Sequence, residues 1–297
     1  MSSWSGKSKG NILGYKIFVW TIKNLGIWAA YLLLRFVSFY YFLFSFKSST
    51  HLFYYFNKVL NYNFIKSILS LYKNYYIFGQ TLVDRAIIMA GFQDKFTYSS
   101  EGFENLQNMV TSGTGGILIS AHAGNWEVAG QKLKNEIIKM NVVMFEAEHA
   151  KIKNYLSDVK KERTFNIITV SDKNLDHIYK INEALQNNEL VCMHGDRYLN
   201  ESKTEVCNFL GKDAKFPIGP FLLATQLNVP VSFVYGMKTS SRHYHFSATK
   251  PVLNSIKMNK QEKYLEASSM LKQYVLSLEK IVKQYPTQWF NYYQFWN

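Results

Sequence analysis

Between residues 117 and 249, short apolar runs alternate with helical patterns, and no other feature constrains the fold as tightly. ILISA (117–121), NVVMF (141–145), NIITV (166–170), LVCMH (190–194), PVSFVYGM (230–237) and HYHFSAT (243–249) have the length and residue types of buried strands. Segments 126–138, 150–163, 175–186 and 217–227 follow helical spacing, and 260–283 closes the chain as an amphipathic helix. Strands and helices in this order imply an α/β fold: a mostly parallel sheet flanked by helices on both faces.

The chain ahead of this region is different. Residues 25–46 read LGIWAAYLLLRFVSFYYFLFSF, 22 residues with Arg35 as the single charge. That length is sufficient for a membrane span of about 20 residues. A central arginine costs roughly 2.5–3.5 kcal/mol on insertion scales, which favours an interfacial helix with Arg35 reaching to phosphates. A buried core helix is the third option. No small-residue cleavage site follows the run, so it does not read as a signal peptide. Lys7, Lys9, Lys16, Lys23 and Lys47 accompany it, and no acidic residue precedes Asp84. Residues 50–90 continue at helical spacing, with Gly91 as a stop. The expected division is a membrane-associated helical module over 1–91 and an α/β domain over 92–297.

The whole-chain net charge of +13 anticipates an anionic partner: nucleic acid, anionic lipid or a phosphorylated substrate. Nucleic acid is the least expected, because no helix-turn-helix, RNA-binding or zinc-finger signature is present. Two cysteines, Cys192 and Cys207, exclude a disulfide framework and a four-cysteine zinc site. An aromatic content of 16% excludes disorder.

Ser120-Ala121-His122-Ala123-Gly124-Asn125-Trp126-Glu127 is the sharpest local feature. His122 falls where a buried strand ends and a helix is about to start, the position where open α/β sheets build their sites. On one continuous helix His122 and Glu127 would diverge by about 140°. The Ala123-Gly124 loop breaks that register and lets the carboxylate fold back to the ring. A carboxylate on one ring nitrogen fixes the tautomer and raises the basicity of the other, which suits a general base. The residues alone leave open a plain structural histidine and a glutamate favoured by the helix dipole. A zinc site is a weaker reading, since no second histidine stands at metalloprotease spacing. Gly124 and the following amides, with Asn125 as a cap, are candidate oxyanion donors, and Gly219 and Pro220 at a second helix start could form a facing wall. Simple turn geometry explains both glycines equally well.

His122-x4-Glu127 after an apolar strand resembles the His-x4-Asp/Glu motif of the lysophospholipid acyltransferase superfamily. Gly195-Asp196-Arg197, Phe209-Leu210-Gly211-Lys212, Phe216-Pro217-Ile218-Gly219-Pro220, Val229-Pro230-Val231 and the closing Pro286-Thr287-Gln288-Trp289 narrow the resemblance to the lipid A biosynthesis (lauroyl/myristoyl) acyltransferases. It covers nearly the whole chain in order. The resemblance implies transfer of a fatty acyl chain from a thioester of acyl carrier protein or coenzyme A to a hydroxyl or amine of a lipid acceptor. It places that reaction at the cytoplasmic face of the inner membrane. It makes His122 the base and Glu127 its orienting carboxylate, puts Asp196 and Arg197 in the second catalytic motif, and gives Arg163 a place in the basic helix. Gly124, Asn125, Phe216, Pro217, Gly219 and Pro220 become substrate-binding positions. A thioester is already activated, so the chemistry calls for no metal or redox cofactor. Lysines from Lys132 to Lys161 would steer acidic carriers and phosphorylated acceptors. A glycerolipid or amino-lipid acceptor, or a non-catalytic basic membrane-surface binder, are the alternatives.

Overall fold

Gly26 (φ +85°), at the start of the long apolar run, separates two helices. The first, α1, spans Ile12–Leu25 and the second, α2, Ile27–Phe44. The computed structural model describes residues 12–89, 91–125, 128, 139–145, 165–170, 176–198, 202–253 and 259–296. Helix α2 is long and apolar enough to cross a membrane by length and composition. One face is buried, through Ile27, Ala30, Tyr31, Leu34 and Ser38. Trp28, Phe36, Phe39, Tyr40 and Phe44 stand exposed on the rest of it.

The continuous helix expected over 50–90 is broken. Helix α3 (Phe46–Tyr54) runs into a π-helical turn at Tyr55–Val59, and Asn61 takes a left-handed conformation before α4 (Phe64–Met89). Helix α4 ends at a glycine, Gly91, as expected.

The strands are β1 (Thr97–Glu101), β2 (Gly116–Ser120), β3 (Met140–Phe145), β4 (Asn166–Val170), β5 (Leu190–His194), β8 (Val231–Ser240) and β9 (His243–Ala248). They form one seven-stranded sheet in the order β1-β9-β8-β2-β5-β3-β4. Every neighbouring pair is parallel except the β8–β9 hairpin. Strand β2 is central and fully buried. Its alternation sends Ile117 and Ile119 into one hydrophobic cluster and Leu118 into another. On the first side lie α6 (Asp176–Gln186), α7 (Gly219–Leu227) and α8 (Lys260–Gln284); on the second lies α5 (Phe103–Thr111). The mostly parallel, helix-flanked sheet is therefore present.

Two pieces escaped the sequence reading. Strand β1 and α5 fill residues 97–111, where the pattern is too polar to announce a strand. Strands β6 (Thr204–Phe209) and β7 (Lys212–Pro217) form a separate hairpin, closed by Leu210 and Gly211, both at positive φ. The expected helices over 126–138 and 150–163 lie outside the described residues.

The helical segment is not packed separately from the sheet. Ile27, Ala30 and Leu34 of α2 share a core with Val83 and Ile87 of α4 and with Tyr244 and Phe246 of β9. Within that interface sits a buried polar knot. Asp84 of α4 accepts from Lys238 of β8, from the Tyr31 hydroxyl of α2 and from the Tyr244 hydroxyl of β9. Burial pushes the Asp84 carboxyl up and the Lys238 ammonium down, and each partner's charge opposes that shift.

Candidate active site

The parallel register of β2 and β5 pairs Ser120 with His194. The backbone N–H of Gly195 then donates to the Ser120 carbonyl at 2.9 Å, carrying the pairing past the strand ends. Two residues beyond that register pair stand His122 on one side and Asp196 on the other. Their contact is double. His122 Nδ1 lies 2.8 Å from Asp196 Oδ1, and the His122 backbone N–H donates to Oδ2 at 2.9 Å. The His122 side chain is 20% exposed and that of Asp196 2%, so the imidazole opens outward above a buried carboxylate.

The carboxyl-terminal segment straps this pair down. Trp289 donates its indole N–H to Asp196 Oδ2 at 3.2 Å, and Phe290 donates its backbone N–H to the His122 carbonyl at 2.8 Å. Tyr293 donates its hydroxyl to the Asp196 carbonyl, and Arg197 donates to the Phe290 carbonyl at 2.8 Å. The Arg197 guanidinium also faces the Tyr293 ring at 5.9 Å. Asn74 of α4, fully buried, donates to the carbonyls of Thr287 and Trp289 and holds the strap from behind. Gln288 fixes it to the sheet, since its side chain makes both hydrogen bonds available at the Lys238 backbone.

The electrostatics follow from these contacts. Burial raises the Asp196 carboxyl, but His122 and Arg197 outweigh it and hold the group well below the usual carboxylate range. An ionised carboxylate only accepts, so the Nδ1 of His122 carries the proton between them. His194 stacks on the His122 ring and is itself half-buried. Burial, with the charge of His122, pushes it down to about 3 against the pull of Asp196.

The residues named from the sequence fall into three groups. His122, Asp196 and Arg197 meet at one site. Glu127 and Arg163 lie outside the described residues, and the described carboxylate at the His122 ring is that of Asp196. The remainder are in supporting positions. Gly124 at φ +64° has no room for a side chain, since a Cβ there would fall 2.1 Å from the Gly236 carbonyl. Its N–H donates to the Gln288 carbonyl, and the N–H of Asn125 donates to the Gly236 carbonyl. Both amides are committed to backbone, so neither is open to an oxyanion; residues 126 and 127 lie outside the described residues. The Asn125 amide side chain is turned inward to the Thr81 carbonyl and the Tyr244 hydroxyl. Phe216 and Pro217 end β7, and Phe216 is fully buried against Phe209, Tyr274 and Phe295. Gly219 and Pro220 open α7, with open space around the Gly219 Cα. Tyr274 links that aromatic wall to the site, donating to the Ser120 carbonyl at 2.9 Å.

Sequence reasoning missed His194 and the role of Trp289. The strand alternation offered one signal, because His194 stands two residues before Asp196 and so shares its face. Among the described residues, no cluster of three or more His, Cys, Asp or Glu side chains is placed to hold a metal ion.

A family model described as bacterial lipid A biosynthesis acyltransferase matches residues 71–297, from within α4 to the end of the chain. The chain belongs to this family. Members of the acyltransferase family with curated descriptions include phosphatidylinositol mannoside acyltransferases from mycobacteria. That of Mycobacterium tuberculosis (strain H37Rv) is 26% identical over 125 residues, 42% of this chain and 39% of the relative. That of Mycolicibacterium smegmatis is 23% identical over 123 residues, 41% of this chain and 40% of the relative. The chain thus matches about two fifths of the length of these relatives. Among solved structures, the 1-acyl-sn-glycerophosphate acyltransferase PlsC from Thermotoga maritima aligns over 84% of this chain and 95% of its own, at 13% identity and a TM-score of 0.39.

Proposed function

We propose that this acyltransferase-family chain moves a fatty acyl group from a thioester of acyl carrier protein or coenzyme A to a hydroxyl or amine of a phosphorylated glycolipid of the lipid A precursor type. The observation that carries the reading is the His122–Asp196 pair at the carboxyl ends of two adjacent parallel strands. His122 Nε2 takes the proton of the acceptor as its oxygen or nitrogen attacks the thioester carbonyl. The tetrahedral intermediate then collapses, the carbon–sulfur bond breaks, and the departing thiolate takes the proton back from Nε2. Asp196 holds the tautomer and stabilises the imidazolium between the two steps, and the Arg197 guanidinium beside the pair lends its positive charge to the developing anion or to an acceptor phosphate. Arg163 keeps its assigned place on the resemblance alone, Asp196 takes the orienting role expected of Glu127, and Phe216–Pro220 act as the wall behind the site.

The reaction takes place at the membrane, at the cytoplasmic face of the inner membrane where acyl thioesters are made. Exposed aromatic residues of α2, with Lys23 and Arg35 beside them, supply the contact. The mycobacterial relatives support a glycosylated phospholipid as the second candidate acceptor, which shares sugar and phosphate with the first.

Lipid mass spectrometry of a deletion strain, complemented with wild type or with His122→Ala, tests the reading. Wild type should restore one acylated lipid that His122→Ala does not. Equal restoration by both would refute the mechanism.

A further inference from the structure

The imidazoles of His122 and His194 stack with centroids 4.2 Å apart and planes inclined by 29°. His194 ends β5, where it pairs in register with Ser120 of the buried strand β2. Asp196 meets the edge of the His122 ring at Nδ1, while His194 covers a flat face. These two contacts control different freedoms. A hydrogen bond at one nitrogen sets a tautomer, but the ring torsion of histidine is broad and two-fold, so a ring anchored at its edge can still swing. A flat group against its face removes that swing.

We propose that His194 is a positioning residue: its ring holds the His122 imidazole in the plane where Nδ1 meets Asp196 and Nε2 is presented to the acceptor. The proposal rests on the acyl-transfer reading above. His194 does its work as a neutral plate. A second cation against His122 would oppose protonation of the base, and burial with the charges of His122 and Arg197 keeps the His194 ring neutral at neutral pH against the pull of Asp196. Its use as a proton carrier is therefore disfavoured, and flatness is the property that matters.

That claim separates His194→Phe, which keeps a flat face and has no nitrogen, from His194→Leu, which fills the site without one. The full-length protein is labelled with ¹⁵N-histidine in lipid nanodiscs, the His122 resonances being identified by their loss in His122→Ala. Acyl transfer is measured in parallel from a myristoyl thioester to a phosphorylated glycolipid. Wild type and His194→Phe should show His122 as a single Nδ1–H tautomer, with kcat within about threefold of one another. His194→Leu should show mixed tautomers and a kcat at least tenfold lower, with KM within about twofold. Should Phe overfill the site and lower the melting temperature, His194→Asn, smaller and also planar, replaces it. A flat replacement as impaired as Leu, or a Leu variant with one tautomer and normal kcat, overturns the proposal. If wild type transfers nothing while the tautomers respond as described, the acyl-transfer reading fails and the positioning of His122 stands.

Discussion

Asp196 grips His122 at two points, the ring through Oδ1 and the backbone N–H through Oδ2, and Trp289 then claims Oδ2 as well. Side chain, main chain and carboxyl-terminal strap are thus tied to one buried carboxylate. Such a residue does more than neutralise a charge. It fixes where the imidazole stands and which nitrogen it offers.

Loss of either member should therefore be severe. His122→Ala is expected to lower acyl transfer by about 10²–10⁴-fold, the usual worth of a positioned general base. Asp196→Asn should fall in the same direction, because an amide lets the ring adopt the other tautomer. The double variant should cost little more than the worse single, since the two act as a unit. Steady-state kinetics of the four proteins decide it; additive losses would mean independent roles.

The strap can be probed through Trp289. Trp289→Phe keeps a ring in the aromatic cluster with Tyr55 and Phe209 and deletes the N–H to the Asp196 carboxylate together with the pyrrole edge of the indole. Hydrogen bonds to charged groups are worth about 1.5–3 kcal/mol, so urea denaturation should show a loss of that size with an unchanged m value. A loss below 0.5 kcal/mol (a ~2-fold change, within surface-substitution scatter) would show that Trp289 contributes packing alone.

Stability should fall on the acid side for a specific reason. The folded-state pKa of His194, about 3, lies below the ordinary imidazole value of about 6.5. Between these limits the unfolded chain binds a proton that the folded chain does not, so stability declines as pH falls through this window, by up to about 1.4 kcal/mol per pH unit. His194→Phe removes this contribution. Urea midpoints measured from pH 7 to 4.5 should therefore converge for wild type and His194→Phe if the variant starts lower, or diverge in its favour. Parallel curves would show that His194 does not titrate as described.

The Asp84–Lys238 pair should behave as a buried ion pair does. Lys238→Met or Asp84→Asn alone leaves a partner buried beside Tyr31 and Tyr244, at an expected cost of about 3–5 kcal/mol. The double variant removes both charges and should recover most of that loss. Chemical denaturation of the three variants checks this, and a double variant as unstable as the sum of the singles would contradict it.

Membrane contact should be tested on the outer face of α2, not by removing residues 1–50. Its inner face is core, through Ile27, Ala30 and Leu34, and truncation would expose the partners of those side chains on α4. Trp28→Ser with Phe36→Ser and Phe39→Ser should lower binding to anionic vesicles at least tenfold, each exposed aromatic being worth more than about 1 kcal/mol when buried in the interface. Binding that is abolished by salt alone in the wild type would show that charge, not insertion, holds the protein.

The sequence by itself determined the α/β class, because strand periods and helix periods are local and repeat along the chain. It determined His122 as a strand-end residue for the same reason: the apolar run Ile117–Ile119 stops just before it and Gly124 just after it favours a turn. It marked Asp196 and Arg197 as a pair of interest. Only the tertiary structure showed that the Asp196 carboxylate meets the ring. Asp196 is 74 residues from His122, yet the parallel register of β2 and β5 brings its carboxylate to 2.8 Å from the ring. The same holds for Asp84 and Lys238, which are 154 residues apart and carry no local pattern that pairs them. The two faces of α2 were illegible too, since both are apolar and burial on one side depends on α4 and β9 packing there. Periodicity reports what a segment does alone. Register between strands and contact between helices are set by the packing of the whole core.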